Sequence, residues 1–477
     1  MDKKPRYITT TLPYVNASPH IGFALEVIQA DALARFWRLI GDTVFFTTGT
    51  DEHGQKIAQK AHEEGRDVQE YVDSYAAEFQ TLKDNLHLSY DNFIRTTNES
   101  HVSAAQELWR RCAAAGDIYK KSYSGLYCVG DEMFLREADL VDGKCPNHPN
   151  MDPIEIEEEN YFFKLSNYSD RLIEYLQQEP SVVPEWRREE AINFVRNGLE
   201  DLSISRDKAR MSWGIPVPND ESQVMYVWFD ALTNYISTLG WPEDAEGTFQ
   251  KFWVDGHTLQ MAGKDQIRFQ SIIWQAMLMS AGLPTTDTIF YHGFITSGGQ
   301  KMSKSLGNVI NPAELVARYG TEATRFLLLK HVHPTDDTDI TWERLDEWYT
   351  ADLVNGIGNL TARIMKLAET HLDAPIVRPE PAGFAIEYTE PFEKFRIDQA
   401  FDYVMRRTSE LDEKITTTEP FKLIKTDAPA AREIIRTLVL ELYAIARMLH
   451  PCMPGTSRVI KDAVLANTKP ENLFPRL

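Results

Sequence analysis

Residues 7–54 read YITTTLPYVNASPHIGFALEVIQADALARFWRLIGDTVFFTTGTDEHG, and this stretch decides the fold. Its first five residues are mostly β-branched, as in a short buried strand of a parallel sheet. Apolar residues then recur with a helical period over residues 21–40, and Gly41 is well placed to end that helix. Residues 44–48 predict a second strand. In open parallel sheets of this kind, ligands bind at the carboxyl ends of the strands.

A second α/β stretch occupies residues 224–330, with a helix predicted at 268–281 and a strand at 288–291. The residues between the two stretches are richer in tyrosine, proline and turn formers, which indicates a domain inserted into a split nucleotide-binding fold. Beyond residue 350 the apolar pattern is mostly helical. The predicted segments are a first catalytic half (1–115), an inserted domain (116–223), a second catalytic half (224–330), a linker (331–350) and a helical domain (351–477).

The formal net charge of −21 disfavours non-specific binding to nucleic acids, because phosphate contacts come from lysine and arginine. The charge is unevenly spread. Residues 351–477 hold 17 Lys and Arg against 18 Asp and Glu, so nearly all of the negative charge lies before residue 351. A nucleic-acid partner is therefore expected at local patches, most readily in the carboxy-terminal part.

The four cysteines are too few for a disulfide framework in a chain of 477 residues. No window approaches the roughly 18 uninterrupted apolar residues of a membrane span, and the amino terminus lacks an apolar signal core. These features predict a cytoplasmic protein without a membrane partner. No further module follows the helices before Leu477, so a monomer is the expected state.

Two short motifs carry complementary chemistry, PHIG at residues 19–22 and KMSKS at residues 301–305. A histidine and a glycine at a helix amino terminus suit a phosphate chain. Two lysines in a glycine-flanked loop can neutralise the charge that develops on a departing pyrophosphate. Taken alone, the first motif has a simpler explanation as a common turn before a helix. The second, taken alone, is usually a solvated basic turn. Together, each after a predicted strand, they indicate a nucleotide site.

With these motifs the sequence resembles the class I aminoacyl-tRNA synthetases, and most closely the methionyl-tRNA synthetases. Further similar segments are TLPYVN (11–16), GTDEHG (49–54), DLSISR (201–206), YVWFDA (226–231), GKD (263–265) and NGIGNL (355–360). The resemblance implies an α/β fold with a split Rossmann-like nucleotide-binding domain, an inserted connective domain and a following all-α anticodon-binding helix bundle. The inserted domain would guide the acceptor end of the tRNA, and the linker would contact its stem.

The resemblance also implies roles for single residues. The catalytic residues would be His20, Gly22, Lys301 and Lys304. The ATP-binding residues would be Pro19, His20, Ile21, Gly22, Lys301, Met302, Ser303, Lys304 and Ser305. The methionine-binding residues would be Leu12, Tyr14, Asp51, Trp228, Tyr235, Asp265, Phe269 and Trp274. Asp51 would pair with the ammonium group, and an aromatic cage suits a flexible, polarisable thioether.

The sequence departs from the family at two of its catalytic-domain positions. Phe23 stands where the first motif usually has a second histidine, and Gln270 stands where a histidine is frequent. A glutamine can still form hydrogen bonds but cannot titrate.

The residues that would read the anticodon are Asn359 and Arg363 on one helix, and Phe421 where a tryptophan is usual. Positions i and i+4 share a helix face, so the amide and the guanidinium can address loop bases together. The aromatic ring offers a stacking platform. The alternative is that Asn359 caps the chain locally and Phe421 belongs to the core.

A degenerate knuckle contains Cys128, Asp131, Cys145 and His148 at the spacing of a zinc site. Relatives with zinc have a cysteine where Asp131 stands, and structural zinc sites are overwhelmingly built from Cys and His. The sequence therefore favours a metal-free, hydrophobically packed knuckle over bound zinc.

The expected activity is the formation of methionyl-adenylate from L-methionine and ATP with Mg²⁺, followed by methionyl transfer to tRNA(Met). Two alternatives stay open at this point. One is a class I ligase for another amino acid, such as cysteine or leucine. The other is a catalytically silent tRNA-binding paralogue.

Overall fold

The computed structural model describes residues 4–129, 133–135, 140–146, 148–302, 310–380 and 383–477. The chain divides into two compact units, each built from three separate segments. The first unit comprises Met1–Ser18, Phe45–Gln80 and Tyr90–Tyr291. The second comprises Pro19–Val44, Thr81–Ser89 and His292–Leu477.

The strands of the described residues follow the chain in this order: β1 Arg6–Thr9, β2 Val44–Thr50, β3 Asn92–Arg95, β4 Ile118–Cys128, β5 Met133–Leu135, β6 Ile154–Phe163, β7 Val182–Val183, β8 Leu202–Ser203, β9 Ser205–Asp207, β10 Pro216–Val217, β11 Asp220–Met225, β12 His257–Gly263, β13 Thr288–His292, β14 Ile295–Ser297, β15 Gln300–Lys301 and β16 Thr338–Asp339.

The central sheet has six strands in the order β3-β2-β1-β12-β13-β7. The pairs β2/β3, β1/β12 and β13/β7 are parallel. The long stretch between β3 and β12 supplies every strand of two antiparallel sheets, β5-β4-β6-β8 and β10-β11-β9. The predicted α/β class with a Rossmann-like parallel sheet is confirmed.

The α-helices are α1 Ile21–Leu39, α2 Gln55–Glu63, α3 Val68–Asn85, α4 Glu99–Ala114, α5 Ser169–Gln177, α6 Glu185–Arg196, α7 Val227–Leu232, α8 Asn234–Ser237, α9 Gln275–Ser280, α10 Pro312–Tyr319, α11 Thr321–His331, α12 Trp342–Trp348, α13 Asn359–His371, α14 Ile386–Glu393, α15 Ile397–Thr418, α16 Pro420–Leu423, α17 Ala428–Leu449 and α18 Pro454–Ala466.

The described residues also form shorter helical turns. The 3₁₀ turns are Leu165–Tyr168 and Lys264–Gln266, and the π-helical segments are Gln250–Val254, Phe269–Trp274 and Tyr349–Gly358. From residue 342 onward the regular elements are helices, which confirms the predicted helical carboxy-terminal part. None of the helices in the described ranges is long and apolar enough to cross a membrane.

Aromatic side chains fill the core of the first unit. Tyr7 in β1 contacts Trp253 edge to face at 5.9 Å between ring centroids, and Trp253 contacts Trp274 in the same way at 6.2 Å. The Tyr7 hydroxyl also donates a hydrogen bond to the backbone oxygen of Tyr235 at 2.9 Å. Tyr235 and Trp274 are predicted methionine-binding residues. The aromatic core that supports the sheet therefore also holds these two side chains in place.

A fully buried ion pair joins α1 to α11 in the second unit. Arg325 Nη2 lies 2.7 Å from Asp31 Oδ2, and neither side chain is exposed. Burial alone would raise the pKa of Asp31, but the charges of Arg325 and Arg35 and hydrogen bonds from Ser89 hold it below the usual value. Asp31 is therefore ionised at neutral pH and matched by the guanidinium.

The remaining donors of Arg325 bind backbone oxygens from two other segments. Nε donates to Cys452 at 2.7 Å, Nη1 to Leu86 at 2.9 Å and Nη2 to Pro451 at 3.2 Å. One side chain thus joins α1, the loop after α3, α11 and the turn between α17 and α18. These are segments of the second unit that lie far apart in the chain.

We expect Arg325→Met to lower the free energy of unfolding by about 3–5 kcal/mol, because the carboxylate of Asp31 loses its main buried counter-charge. Urea titration followed by circular dichroism measures the change. Arg318→Met is the matched control, since Arg318 pairs with Asp346 at the surface and should contribute far less. Equal losses for the two variants would contradict the importance of the buried pair.

Candidate active site

The loops that follow β1 and β2 run side by side at the carboxyl edge of the central sheet. Tyr14 and Asp51 form an isolated parallel bridge. The Asp51 backbone N–H donates to the Pro13 oxygen at 3.0 Å, and the Asp51 oxygen accepts from Val15 N–H at 3.1 Å. The structure therefore brings together the loop of Leu12 and Tyr14 and the buried residue Asp51, at the edge where parallel sheets bind ligands.

Apart from Tyr14, the predicted aromatic residues of the methionine site come from α7, α8 and one π-helical turn. Trp228 stacks on Phe269 with 3.7 Å between ring centroids and an interplanar angle of 17°. Tyr235 meets Trp274 edge to face at 5.7 Å. Phe269 begins and Trp274 ends the π-helical turn, a widened turn that is frequent at functional sites. Asp265 lies just before it, in the 3₁₀ turn that follows β12.

Gln270 is buried beside Tyr235. Its side-chain Nε2 donates a hydrogen bond to the Tyr235 hydroxyl oxygen at 2.8 Å. Because that oxygen is the acceptor, the hydroxyl proton of Tyr235 can be directed to another group.

In the segment 49–54, the sequence predicted a role for Asp51 alone. The structure shows that the next residue, Glu52, holds the loop after β2 in place. The buried carboxylate of Glu52 accepts hydrogen bonds from Arg95 Nε at 2.7 Å, Thr50 Oγ1 at 2.6 Å and Thr97 Oγ1 at 2.6 Å. A charged pair of this kind is short and strong when it is shielded from water. The only sequence signal was the acidic residue next to Asp51, which does not reveal a partner 43 positions away.

In the second unit, His20 caps the first turn of α1. Its Nδ1 accepts a hydrogen bond from the Phe23 N–H at 3.2 Å, so the ring carries its proton on Nε2. A Cβ atom at Gly22 would lie 3.0 Å from the His20 ring, which explains why a glycine suits this position. The exposed imidazole and the positive end of the helix together form a surface that suits phosphate oxygens.

The second motif follows a hairpin of the second unit. The strands β14 and β15 are joined by Gly298 and Gly299, whose φ values of +64° and +73° fit a tight two-residue turn. The Gly299 N–H donates to Asp339 Oδ1 at 2.7 Å and thereby ties the turn to β16. Lys301 ends β15 and Met302 follows it. The predicted residues Ser303, Lys304 and Ser305 lie outside the described residues.

Three of the four predicted knuckle ligands lie together. The donor atoms of Cys128, Cys145 and His148 are all within 4.8 Å of one another, and Asp131 lies outside the described residues. His148 Nδ1 is 3.7 Å from Cys128 Sγ and 3.9 Å from Cys145 Sγ. A tetrahedral zinc ion with bonds of roughly 2.3 Å to sulfur and 2.0 Å to nitrogen separates such atoms by about 3.5 Å. The three donors therefore fit zinc.

The predicted anticodon residues are accessible in the second unit. Asn359 is exposed at the start of α13, and Arg363 contacts Asp412 of α15. Asn359 continues directly from a π-helical segment and so caps no isolated helix end. Phe421 is 43% exposed, which excludes the alternative that it is a core residue.

Comparison with known proteins gives consistent results. The family model for tRNA synthetases class I (M) matches residues 6–152 and 149–365. The methionine–tRNA ligase of Rhizobium meliloti (strain 1021) is 41% identical over 98% of this chain and 93% of its own length. That of Caldanaerobacter subterraneus subsp. tengcongensis is 40% identical over 96% of this chain and 73% of its own length.

Solved structures agree with the sequence relatives. Mycobacterium tuberculosis methionyl-tRNA synthetase in complex with methionyl-adenylate has a TM-score of 0.88 and 38% identity, and the match covers 96% of this chain and 93% of that one. The free form of that enzyme has a TM-score of 0.83 and 32% identity over 100% of this chain and 98% of that one. The chain therefore belongs to the class I tRNA synthetases, in the family of the methionine–tRNA ligases.

Proposed function

We propose that this chain is a methionine–tRNA ligase that forms methionyl-adenylate from L-methionine and ATP and then charges tRNA(Met). The observation that carries the proposal lies in the first unit. A buried carboxylate, Asp51, occupies the carboxyl edge of a parallel sheet, and the same unit holds the stacked pair Trp228 and Phe269. A carboxylate suits an ammonium group, and aromatic faces suit a thioether.

The methionine side chain would be selected by shape and by sulfur–aromatic contact. Trp228, Phe269 and Trp274 offer ring surfaces, and the Tyr235 hydroxyl, held by Gln270, can donate a weak hydrogen bond to sulfur. One methylene group in such a pocket is worth about 1–3 kcal/mol. The site would therefore reject shorter and longer amino acids mainly through the fixed spacing of its walls.

In the first reaction, a carboxylate oxygen of methionine attacks the α-phosphorus of ATP. The bond from that phosphorus to the bridging oxygen breaks, and pyrophosphate leaves. His20 Nε2–H and the amino terminus of α1 would bind phosphate oxygens, with Gly22 allowing close approach. Lys301 and Lys304 would neutralise the charge that grows on pyrophosphate. The Mg²⁺ that accompanies ATP supplies further charge neutralisation at the phosphates.

In the second reaction, a terminal ribose hydroxyl of tRNA attacks the methionyl carbonyl, and AMP leaves. Residues 116–223 would guide the acceptor end, and residues 331–350 would contact the stem between the catalytic part and the helical part. Asn359, Arg363 and Phe421 would read the anticodon. Their exposure supports this role, since splayed bases need accessible polar groups and a ring to stack on.

We also propose that Cys128, Cys145 and His148 hold a structural zinc ion. The spacing of their donor atoms supports it, and both cysteines are buried among apolar side chains that would exclude water from the metal. Such an ion would brace the knuckle and take no part in either reaction.

We expect the purified protein to exchange pyrophosphate into ATP in the presence of methionine. Lys304→Ala should slow the exchange at least ten-fold while calorimetric affinity for methionine stays nearly unchanged, because the charge acts on the departing pyrophosphate. Lys330→Ala is the control, since Lys330 pairs with Asp402. Exchange that requires cysteine or leucine instead of methionine would refute the function. Unchanged turnover of Lys304→Ala would refute only the role of the lysine.

We expect Asn359→Ala, Arg363→Ala and Phe421→Ala each to lower kcat/KM for tRNA, with methionine-dependent exchange unchanged. Base stacking on an aromatic ring is worth about 1–3 kcal/mol, so Phe421→Ala should lower kcat/KM for tRNA about five-fold or more. Thr370→Ala is the matched control on α13, because its hydroxyl binds only the backbone of Lys366 among the described contacts. Three variants that charge tRNA as well as the parent would show that the anticodon is read elsewhere.

We expect about one zinc ion per chain in protein purified without chelator, measured by inductively coupled plasma mass spectrometry. Cys145→Ser should lose the metal because a thiolate ligand is removed. Cys112→Ser removes a buried cysteine outside the knuckle and should keep the metal. A parent protein without zinc would favour the metal-free packed knuckle that the sequence alone suggests.

A further inference from the structure

We propose that Asp230 is a positioning residue that fixes the distance between the ammonium anchor Asp51 and the aromatic wall at Trp228, and thereby sets the side-chain length that the site accepts. The inference rests on the proposed methionine-activating function. It assigns a role to three buried side chains, Asp230, His53 and His101, that the reaction itself does not use.

Asp230 binds two histidines from different parts of the first unit. Its Oδ2 lies 2.7 Å from His53 Nδ1, and its Oδ1 lies 2.8 Å from His101 Nε2. Because an ionised carboxylate only accepts hydrogen bonds, both ring nitrogens must donate. On its other side, His101 Nδ1 lies 2.9 Å from Ser237 Oγ, at the end of α8.

The carboxylate is held in a charged state in spite of its burial. Burial would raise the pKa of Asp230, but electrostatic attraction to the rings of His53 and His101 and the hydrogen bonds from both rings lower it below the usual value. A buried charge of this kind is costly unless both oxygens have donors. The geometry of the two bonds is therefore fixed, since neither donor can be lost without a large penalty.

The position of Asp230 in the chain determines which parts of the site these hydrogen bonds connect. His53 lies two residues after Asp51 in the loop that follows β2, and Asp230 lies two residues after Trp228 in α7. The contact between His53 and Asp230 is therefore a direct link between the loop of the carboxylate and the helix of the aromatic wall. A shift of this link would change the distance that the substrate has to span.

The loop after β2 is also bound to segments other than α7. Asp51 is bound through its backbone to residues 13 and 15, and Glu52 is bound to Arg95. These bonds hold the loop against β1 and β3. Trp213 also binds this loop, since its Nε1 donates to the Glu52 oxygen at 2.6 Å and its own oxygen accepts from the Gly54 N–H at 3.1 Å. The bond between His53 and Asp230 joins the loop to α7 directly.

The test compares Asp230→Asn with the parent in methionine-dependent pyrophosphate exchange. An amide presents a donor to one of the two histidine N–H groups, so one link is broken at nearly constant volume. We expect KM for methionine to rise about ten-fold while KM for ATP is unchanged. The preference for methionine over S-methylcysteine, which is one methylene shorter, should fall at least five-fold.

Asp117→Asn is the matched control for loss of a buried carboxylate. Asp117 lies in the same unit and accepts hydrogen bonds from Tyr168 and Ser280. This variant should lose stability without changing either KM or the preference between the two amino acids. A purely structural role of Asp230 would give the same result for both variants, and that outcome would overturn the inference.

A pair of substitutions at His53 provides a second readout if Asp230→Asn does not fold. Glutamine keeps an N–H donor that can reach Asp230, so His53→Gln should retain most of the affinity for methionine. His53→Ala should raise KM for methionine as Asp230→Asn does. Equal KM values for the two His53 variants would overturn the inference. A parent without methionine-dependent exchange would refute the proposed function itself.

Discussion

A carboxylate that is removed from water must find donors for both oxygens, and this constraint organises both units of the molecule. Asp31 is matched by Arg325 in the second unit. Glu52 is matched by Arg95, and Asp230 by two histidines, in the first unit. In each case the partner comes from a distant part of the chain. The pairings therefore fix how separate segments lie against one another, which apolar packing alone would specify less sharply.

The segment 51–53 shows how the same constraint prepares a binding site. Three polar side chains follow one another at the end of β2, and each has a separate task. The carboxylate of Glu52 and the ring of His53 bind protein groups that hold the loop. Asp51 is the residue that we assign to the substrate. A short loop anchored by the two residues that follow its working residue can keep a carboxylate in place while ligand is absent, which lowers the cost of binding.

Local patterns predicted the elements well, because they depend on near neighbours. The helix expected over residues 21–40 is Ile21–Leu39, and the strand expected over residues 288–291 is Thr288–His292. The helix expected over residues 268–281 begins instead with the π-helical turn Phe269–Trp274, which no periodicity distinguishes from an α-helix. The roles of single residues in the site came from resemblance to a family and not from periodicity.

Long-range pairings could not be predicted in this way. Arg325 binds the backbone of Leu86 from 239 positions away, and His101 binds Asp230 from 129 positions away. Nothing in the composition of either neighbourhood identifies the partner. The division of the chain is a further example, since α1 belongs to the second unit while the strands that flank it in sequence belong mainly to the first. Such groupings depend on buried charges and tertiary packing that the sequence pattern does not encode.

The two positions at which the catalytic part departs from its family can be understood from the hydrogen bonds that remain. Residue 23 takes part in the cap of α1 through its backbone N–H, which donates to His20 Nδ1. This hydrogen bond does not depend on the side chain of residue 23. Phenylalanine retains that donor, and the residue is buried, at 6% exposed, with the apolar residues of the helix. At position 270 a glutamine amide donates to Tyr235 without a group that titrates near neutral pH. Each residue therefore makes a contact that orients a working residue, and neither side chain titrates near neutral pH.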